Sequence, residues 1–435
     1  MNLQKDIKRD FLYHKSSPTT SKSPSQTRKS STTSKSPSQT RKLPTTSKSP
    51  LQTRKSSTTS KSPSQTRKLP LPSYNSESRI FTDDIYVNLL AAHKIQKFIK
   101  DKIIINKNTL NNRINRYKIL MKKLSLLKDG DCLEEKKFNT VNGYTIRNII
   151  NLEKQIGSES KTGSVYLTNI PNLIGVYPIA TKVMNNNISN RREVEIMKNI
   201  TNKIILNNFS RHFLMIYSSS LCSPEIPILT SNLRYISVNE LADGDLKMLM
   251  NNRSILEDND LILNLLFQTY ISIATFQNNI GYVHNDTHHG NFLFHYNNEN
   301  IKGYYHYVFN EKDYYFKCCK YNIIICDFGM VKDIYYEHNI LNIHRDYKRI
   351  LYAFMKKGEG WGIYDDLPKN ETKDIIDKIL SEMNNLYIKS YKSPLGKHLF
   401  SDIIENIFLK YTPKDMFITE RPSKILNSVP FKINE

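Results

Sequence analysis

The chain has 435 residues and a net charge of +22, from 63 Lys and Arg against 41 Asp and Glu. That length suits one large domain with extensions, or two or three folded units. No stretch approaches the ~18 apolar residues of a membrane span, the polar start MNLQKDIKRDFLYHK lacks a secretory core, and Cys132, Cys222, Cys318, Cys319 and Cys326 fit neither a disulfide framework nor a zinc pattern.

An intracellular, reducing compartment, cytoplasm or nucleus, is therefore expected, with no membrane partner. Residues 1–78 stand apart, with 16 Lys and Arg against three acids and only 11 hydrophobic residues. Four 13-residue repeats, the first TTSKSPSQTRKSS, run from Thr19 to Pro70, each with one Ser-Pro step, at Ser23, Ser36, Ser49 and Ser62. So polar a composition cannot offset the entropy of ordering, and a disordered basic tail is expected. It suits a solvated arm, a phosphate-contacting arm for nucleic acid or another acidic partner, or a phosphorylation substrate. The repeats carry no aromatic residue, so base stacking is not implied.

Residues 79–150 read as a helical linking segment. Ile85, Leu89, Leu90, Ile95, Phe98 and Ile99 predict an amphipathic helix over 84–104, and a second is expected over about 109–127. Ile95-Gln96 with Lys100 resembles the start of a calmodulin-binding IQ motif, but a helix packed on the following domain is the plainer reading.

Farther on, a helical pattern from about Leu261 to Asn279 leads into the polar run HNDTHHGN, residues 284–291, and then a strand-like NFLFHY. A polar cluster on a loop between buried elements is a common place for chemistry. Asp286 and Asn291 can orient a hydroxyl and ligate a cation. The buried strand YNIIICDFGM ends in Asp327-Phe328-Gly329, where an acid can hold a metal ion while the glycine lets the backbone turn. Taken singly, most of these residues have ordinary structural readings, and His284, Asp286, His288 and His289 also allow a zinc cluster.

His-x-Asp-x-x-x-x-Asn followed by Asp-Phe-Gly resembles the catalytic and metal-binding loops of the eukaryotic-type protein kinase superfamily. Upstream, IGSESKTGSVYL (156–167) resembles the glycine-rich loop, with Gly157, Gly163 and Val165 in matching places, a missing middle glycine and one extra residue. PIATKVM resembles the strand of the ATP-contacting lysine, Lys182, and RREVEIMKNI the helix of its partner, Glu193, with Glu195 second. ISVNELADGDL resembles the interlobe hinge, with Glu240 and Ala242 offering backbone groups to adenine and Asp245 near the ribose. Asp346 resembles the buried aspartate that anchors the catalytic loop.

The resemblance implies an α+β, bilobal protein-kinase-like fold, with a β-rich N-lobe over 151–243 and a helical C-lobe over 244–435 whose end, 351–435, is expected as further helices. It implies an ATP- and Mg²⁺-dependent kinase acting on a hydroxyl, a serine/threonine-type protein kinase first. Lys182, held by Glu193, would grip the phosphates, Asp286 would orient the acceptor hydroxyl and accept its proton, and Asn291 and Asp327 would hold Mg²⁺. A scaffolding pseudokinase and a small-molecule kinase are the alternatives.

Departures bear on this. Asn285 replaces the arginine that pairs with a phosphorylated activation loop, and His288 stands where Ser/Thr kinases usually have lysine. No Ala-Pro-Glu follows Asp327-Phe328-Gly329, and only 19 positions separate Asp327 from Asp346. Residues 295–322 read as an inserted hairpin. The body also resembles divergent kinases of large DNA viruses, which would place it in a host cell or virion.

Overall fold

In the computed structural model, residues 108–434 are described, apart from 139–140, 161–162, 172, 174–177, 223–233, 298–301, 336–339, 356–369 and 392–398. The repeat tail, the helix expected over 84–104 and Trp361 lie outside the described residues. The described residues all belong to one compact unit.

Helix α1 (Leu110–Leu124) starts at Thr109, whose side chain accepts from the Asn112 amide. It buries Ile114, Leu120 and Leu124, together with Arg113 and Arg116. Seven strands follow in one antiparallel sheet: β1 (Glu134–Phe138), β2 (Val141–Ile146), β3 (Ile150–Ser160), β4 (Gly163–Asn169), β5 (Ile179–Asn185), β6 (Ile216–Cys222) and β7 (Arg234–Glu240), in the order β1-β2-β3-β4-β5-β7-β6. The sheet thus begins inside the stretch read as a helical linker. Helix α2 (Ile188–Ile200), capped by Asn187, lies between β5 and β6. Gly163 is required by packing: a Cβ there would sit 2.3 Å from the Val183 carbonyl oxygen.

The chain then crosses into a helical region through the short strand β8 (Gly244–Asp245) and helices α3 (Leu246–Met250) and α4 (Arg253–Leu256). Helix α5 (Asn259–Ile280) is buried almost continuously from Ile262 to Gln277, as a helix at the centre of a lobe must be. Gly281 ends it at φ 80°, a conformation glycine adopts without strain. Strand β9 (Tyr282–Val283) leads into the polar loop, and β10 (Phe292–Tyr296) pairs with β13 (Tyr321–Ile325).

Between β10 and β13 the expected insertion is the hairpin β11 (Tyr304–Phe309) and β12 (Lys312–Lys317). Its edges are closed by β15 (Phe417–Ile418) and β16 (Phe431–Lys432). The chain end, read as helical, therefore also supplies two edge strands; their two-residue lengths are too short to leave a periodic signal. Strand β14 (Lys332–Asp333) pairs with β9, and helices α6 (Ile340–Leu351), α7 (Asn370–Tyr391), α8 (Leu399–Ile403) and α9 (Leu409–Tyr411) complete the lobe. A β-rich region followed by a helical one is a kinase-like fold.

One expectation is corrected. Cys132 and Cys222 are disulfide-bonded across 90 residues of sequence, while Cys318, Cys319 and Cys326 are free thiols. A single such bond argues only weakly against a reducing compartment. No helix among the described residues is long and apolar enough to cross a membrane.

Candidate active site

Strand β5 carries Lys182 on the same sheet face as Val165 of β4, its direct register partner. The Lys182 ammonium donates to both carboxylate oxygens of Glu193, at 2.7 and 3.0 Å. Glu193 is buried on α2, whereas Glu195 faces solvent. Burial works to lower the Lys182 ammonium, but Glu193 and Asp327 outweigh it and hold it above the usual lysine value. The Asp327 carboxylate lies 4.0 Å from Lys182 and is 42% exposed.

Asp327 is held there by its backbone, at φ 61°, in the left-handed region that Asp tolerates better than most residues. Phe328 is fully buried against Phe276 and His284, with ring centroids 5.0 and 5.4 Å away. Ser189 of α2 donates to the Gly329 carbonyl at 2.7 Å, tying the helix that carries Glu193 to the segment that carries Asp327.

The polar loop is anchored from below. The fully buried Asp346 carboxylate accepts from the His284 and Asn285 amides at 2.7 and 2.8 Å and from Gln277 at 3.1 Å. The His284 ring meets the Cys326 carbonyl at 2.9 Å, and the Cys326 amide donates to the Asn291 carbonyl at 3.0 Å, so this loop and the Asp327 segment are stitched together. His284 is thereby turned to the backbone. Among the described residues, no three His, Cys, Asp or Glu side chains gather as a metal cluster of the zinc kind.

Asp286 is engaged on both oxygens. Oδ1 meets Arg349 of α6 at 2.9 Å; Oδ2 accepts from the Asn291 amide at 3.2 Å and lies 3.5 Å from His288 Nε2. The His288 hydrogen bond, with the charges of His288 and Arg349, holds its carboxyl below the usual range despite partial burial. Asn285, at φ 62°, donates from its side chain to the Met330 carbonyl at 3.2 Å and accepts from Arg349 at 3.0 Å on its own carbonyl.

The remaining positions are less uniform. Gly157 lies within β3, and the turn at 161–162 lies outside the described residues. Ala242 is half-buried beyond β7, and Asp245 caps α3 by accepting from the Met248 amide at 2.8 Å. Glu240 is fully committed: its amide donates to the Met215 carbonyl and its carboxylate accepts from Arg113. Three residues that sequence reading passed over belong to the site's frame: Arg113, Arg349 and His295. Arg113 and Arg349 stand on helices, where a charged residue ordinarily reads as solvated, and nothing around His295 on β10 marks its distant partner Glu240.

No protein-family model matches the sequence, and no curated protein matches it. Solved structures do match, 1661 chains in all. One, titled "Crystal structure of PF14_0431, kinase domain", is 14% identical, covers 54% of this chain and 70% of its own, and superposes with a TM-score of 0.33. That superposition is too loose to transfer residue roles, so the architecture rests on the strand order and pairings described above.

Proposed function

We propose that the chain is an ATP- and Mg²⁺-dependent kinase that transfers the γ-phosphoryl group to a hydroxyl, with Ser/Thr of proteins as the acceptor class. The observation that carries this is the Lys182–Glu193 pair, made at 2.7 Å, with Asp327 4.0 Å from the same ammonium. Such a pair concentrates one positive charge between a β-lobe and an exposed carboxylate, an arrangement suited to a polyphosphate and its cation.

The donor chemistry fits Mg²⁺: Asp327 and Asn291 offer carboxylate and amide oxygens, the hard ligands this ion takes. When bound, the ion neutralises charge on the transferring phosphates. Lys182, oriented by Glu193, holds the nucleotide phosphates. Val165 beside it lines the nucleotide's place, with Gly157, Gly163, Ala242 and Asp245 around it and the Glu240 amide already taken. Asp286, fixed by Arg349 and Asn291, orients the acceptor hydroxyl and takes its proton.

A second reading has its own support. The short path from Asp327 to Asp346 leaves little chain to dock a peptide, which favours a small-molecule acceptor on the same fold. A purely scaffolding role would leave the buried Lys182–Glu193 pair and the Asp286–Asn291 contact without a use. The resemblance to kinases of large DNA viruses is retained as part of this proposal.

The test is transfer from labelled ATP with Mg²⁺, with and without casein, in wild type and Asp327→Asn. The variant removes charge and almost no volume, so transfer is expected to fall to background with the melting temperature nearly unchanged. Undiminished transfer in the variant would remove Asp327 from the mechanism.

A further inference from the structure

A second polar cavity lies away from the cleft, between the start of α1, the loop before β6, the inserted hairpin and the chain end. It has a volume of about 70 Å³ and is lined by Thr109, Leu110, Asn111, Asn208, Arg211 and Ser428, among others. No lining residue is acidic, and α1 has no acid in its first turn.

Arg211 is 6% exposed. Its Nε donates to the Asn322 side chain, and its guanidinium stacks on the Tyr305 ring at 3.7 Å. Among the described residues no carboxylate pairs with it and no acceptor meets Nη1 or Nη2. Its neighbour Arg113 is balanced by Glu240, whereas Arg211 is a buried cation with no anionic partner among the described residues. Such a charge is costly unless something anionic joins it. Next to it opens the N-terminus of the 15-residue α1. There the Asn112 amide is capped by Thr109, while the Leu110 and Asn111 amides have no acceptor among the described residues. A helix start with open amides carries partial positive charge toward the same space.

We propose that this cavity is an oxyanion site that takes a phosphoryl group, with Arg211 and the first amides of α1 as donors. The space admits a group of about two waters' volume, which suits the head of a phosphate monoester or free phosphate rather than a nucleotide. Because α1 braces the hinge through Arg113, an anion here joins the extension helix to the inserted hairpin.

The test is thermal melting of the full chain in inorganic phosphate against sodium chloride of equal ionic strength. Phosphate is expected to raise the melting temperature saturably, by about 2–4 °C well above its dissociation constant. The rise should persist in Lys182→Met, which weakens the nucleotide cleft, and vanish in Arg211→Gln. Arg211→Gln also loses the Asn322 contact, so Asn111→Asp is the companion: Asn111 is exposed, and a carboxylate there sits at the helix start. It should raise the melting temperature alone and remove the response to phosphate. An equal response in wild type, Arg211→Gln and Asn111→Asp would overturn the proposal, as would a response lost only in Lys182→Met. A TTSKSPSQTRKSS peptide phosphorylated at its Ser-Pro serine distinguishes the sources. Tighter binding than inorganic phosphate, absent from the unphosphorylated peptide, assigns the site to a phosphorylated side chain; equal or weaker binding assigns it to free phosphate.

Discussion

Arg113 of α1 and Glu240 at the end of β7 form an ion pair at 2.7 Å with neither side chain exposed. Arg113 also donates to the carbonyls of Arg211 and Phe213, at 2.7 and 2.5 Å, and His295 of β10 comes within 3.3 Å of the same carboxylate. Burial works to raise the Glu240 carboxyl, but Arg113 and His295 outweigh it and hold it well below the usual range. One guanidinium thus ties the extension helix, the β-lobe and the loop leading into β6 at the crossing between lobes.

Breaking a buried pair by removing one partner leaves the other charge stranded, at a cost of about 3–5 kcal/mol. Arg113→Ala is therefore expected to lower unfolding stability by that order in urea titrations. Arg113→Met with Glu240→Met should cost less, since only the longer contact from the buried Arg116, 3.5 Å from Glu240, is then lost. A single variant no less stable than the double one would show that the pair contributes little.

The histidines predict a pH dependence. Burial, then the charge of Arg211, lowers the His212 imidazole to about 3, and burial lowers His344 to about 4. His212 is neutral for a geometric reason: one ring nitrogen meets the Ile323 carbonyl at 2.8 Å, which can only accept, and the other meets the Tyr307 hydroxyl at 2.7 Å, which can donate. Both folded values lie below the unfolded value of about 6.5. The unfolded chain therefore binds more protons between them, and stability is present above about pH 6.5 and lost as pH falls toward 4. Each histidine contributes a limiting slope of about 1.4 kcal/mol per pH unit. Urea midpoints measured from pH 7.5 to 5 should fall steadily, and His344→Leu should flatten the curve by one histidine's share. A flat wild-type profile would mean these imidazoles are not buried neutral.

The local motifs were legible because each carries its chemistry within a few residues. His284-Asn285-Asp286 to Asn291 and Asp327-Phe328-Gly329 need no distant partner to be recognised. The helix at Leu110–Leu124 and the inserted hairpin were legible from periodicity and from spacing. Arg113 was not, because on a helix as polar as α1 its burial depends on Glu240, 127 positions away. Arg349 was hidden in the same way on α6. The cysteine pair was missed because 90 residues separate its members, and they meet only because the loop after α1 lies along β6, the sheet edge farthest from β1.

That disulfide makes its own prediction. It closes a long loop, and loss of such a link typically costs about 2–4 kcal/mol. The same segment is also held by the Gly130 amide on the Leu221 carbonyl and by the Leu221 amide on Asp129, at 2.8 and 2.9 Å. Reduction should therefore lower stability without unfolding the chain, and Cys132→Ser should match reduced wild type. If dithiothreitol leaves the melting temperature unchanged while Cys132→Ser shifts it, the bond does not form in solution.

The last prediction concerns Arg349, which sequence reading did not attach to the site. Its guanidinium takes Asp286 Oδ1 at 2.9 Å and the Asn285 carbonyl at 3.0 Å. It thereby leaves Oδ2 as the oxygen nearest Asn291 and His288, at 3.2 and 3.5 Å. On the kinase reading, Arg349 is a positioning residue: it fixes which oxygen meets the acceptor hydroxyl and places positive charge beside it. Arg349→Gln keeps a donor for the Asn285 carbonyl but removes the charge. Transfer to casein should fall by about 10²–10³ in kcat, the range for loss of one well-placed electrostatic group. The KM for ATP should stay within about twofold, because the nucleotide is held by Lys182 and not by this arginine. Arg349→Lys should recover part of the rate, and added guanidinium should restore activity to Arg349→Ala. A variant with unchanged kcat would assign Arg349 to loop packing alone, and a raised KM for ATP with normal kcat would move it to the nucleotide side of the cleft.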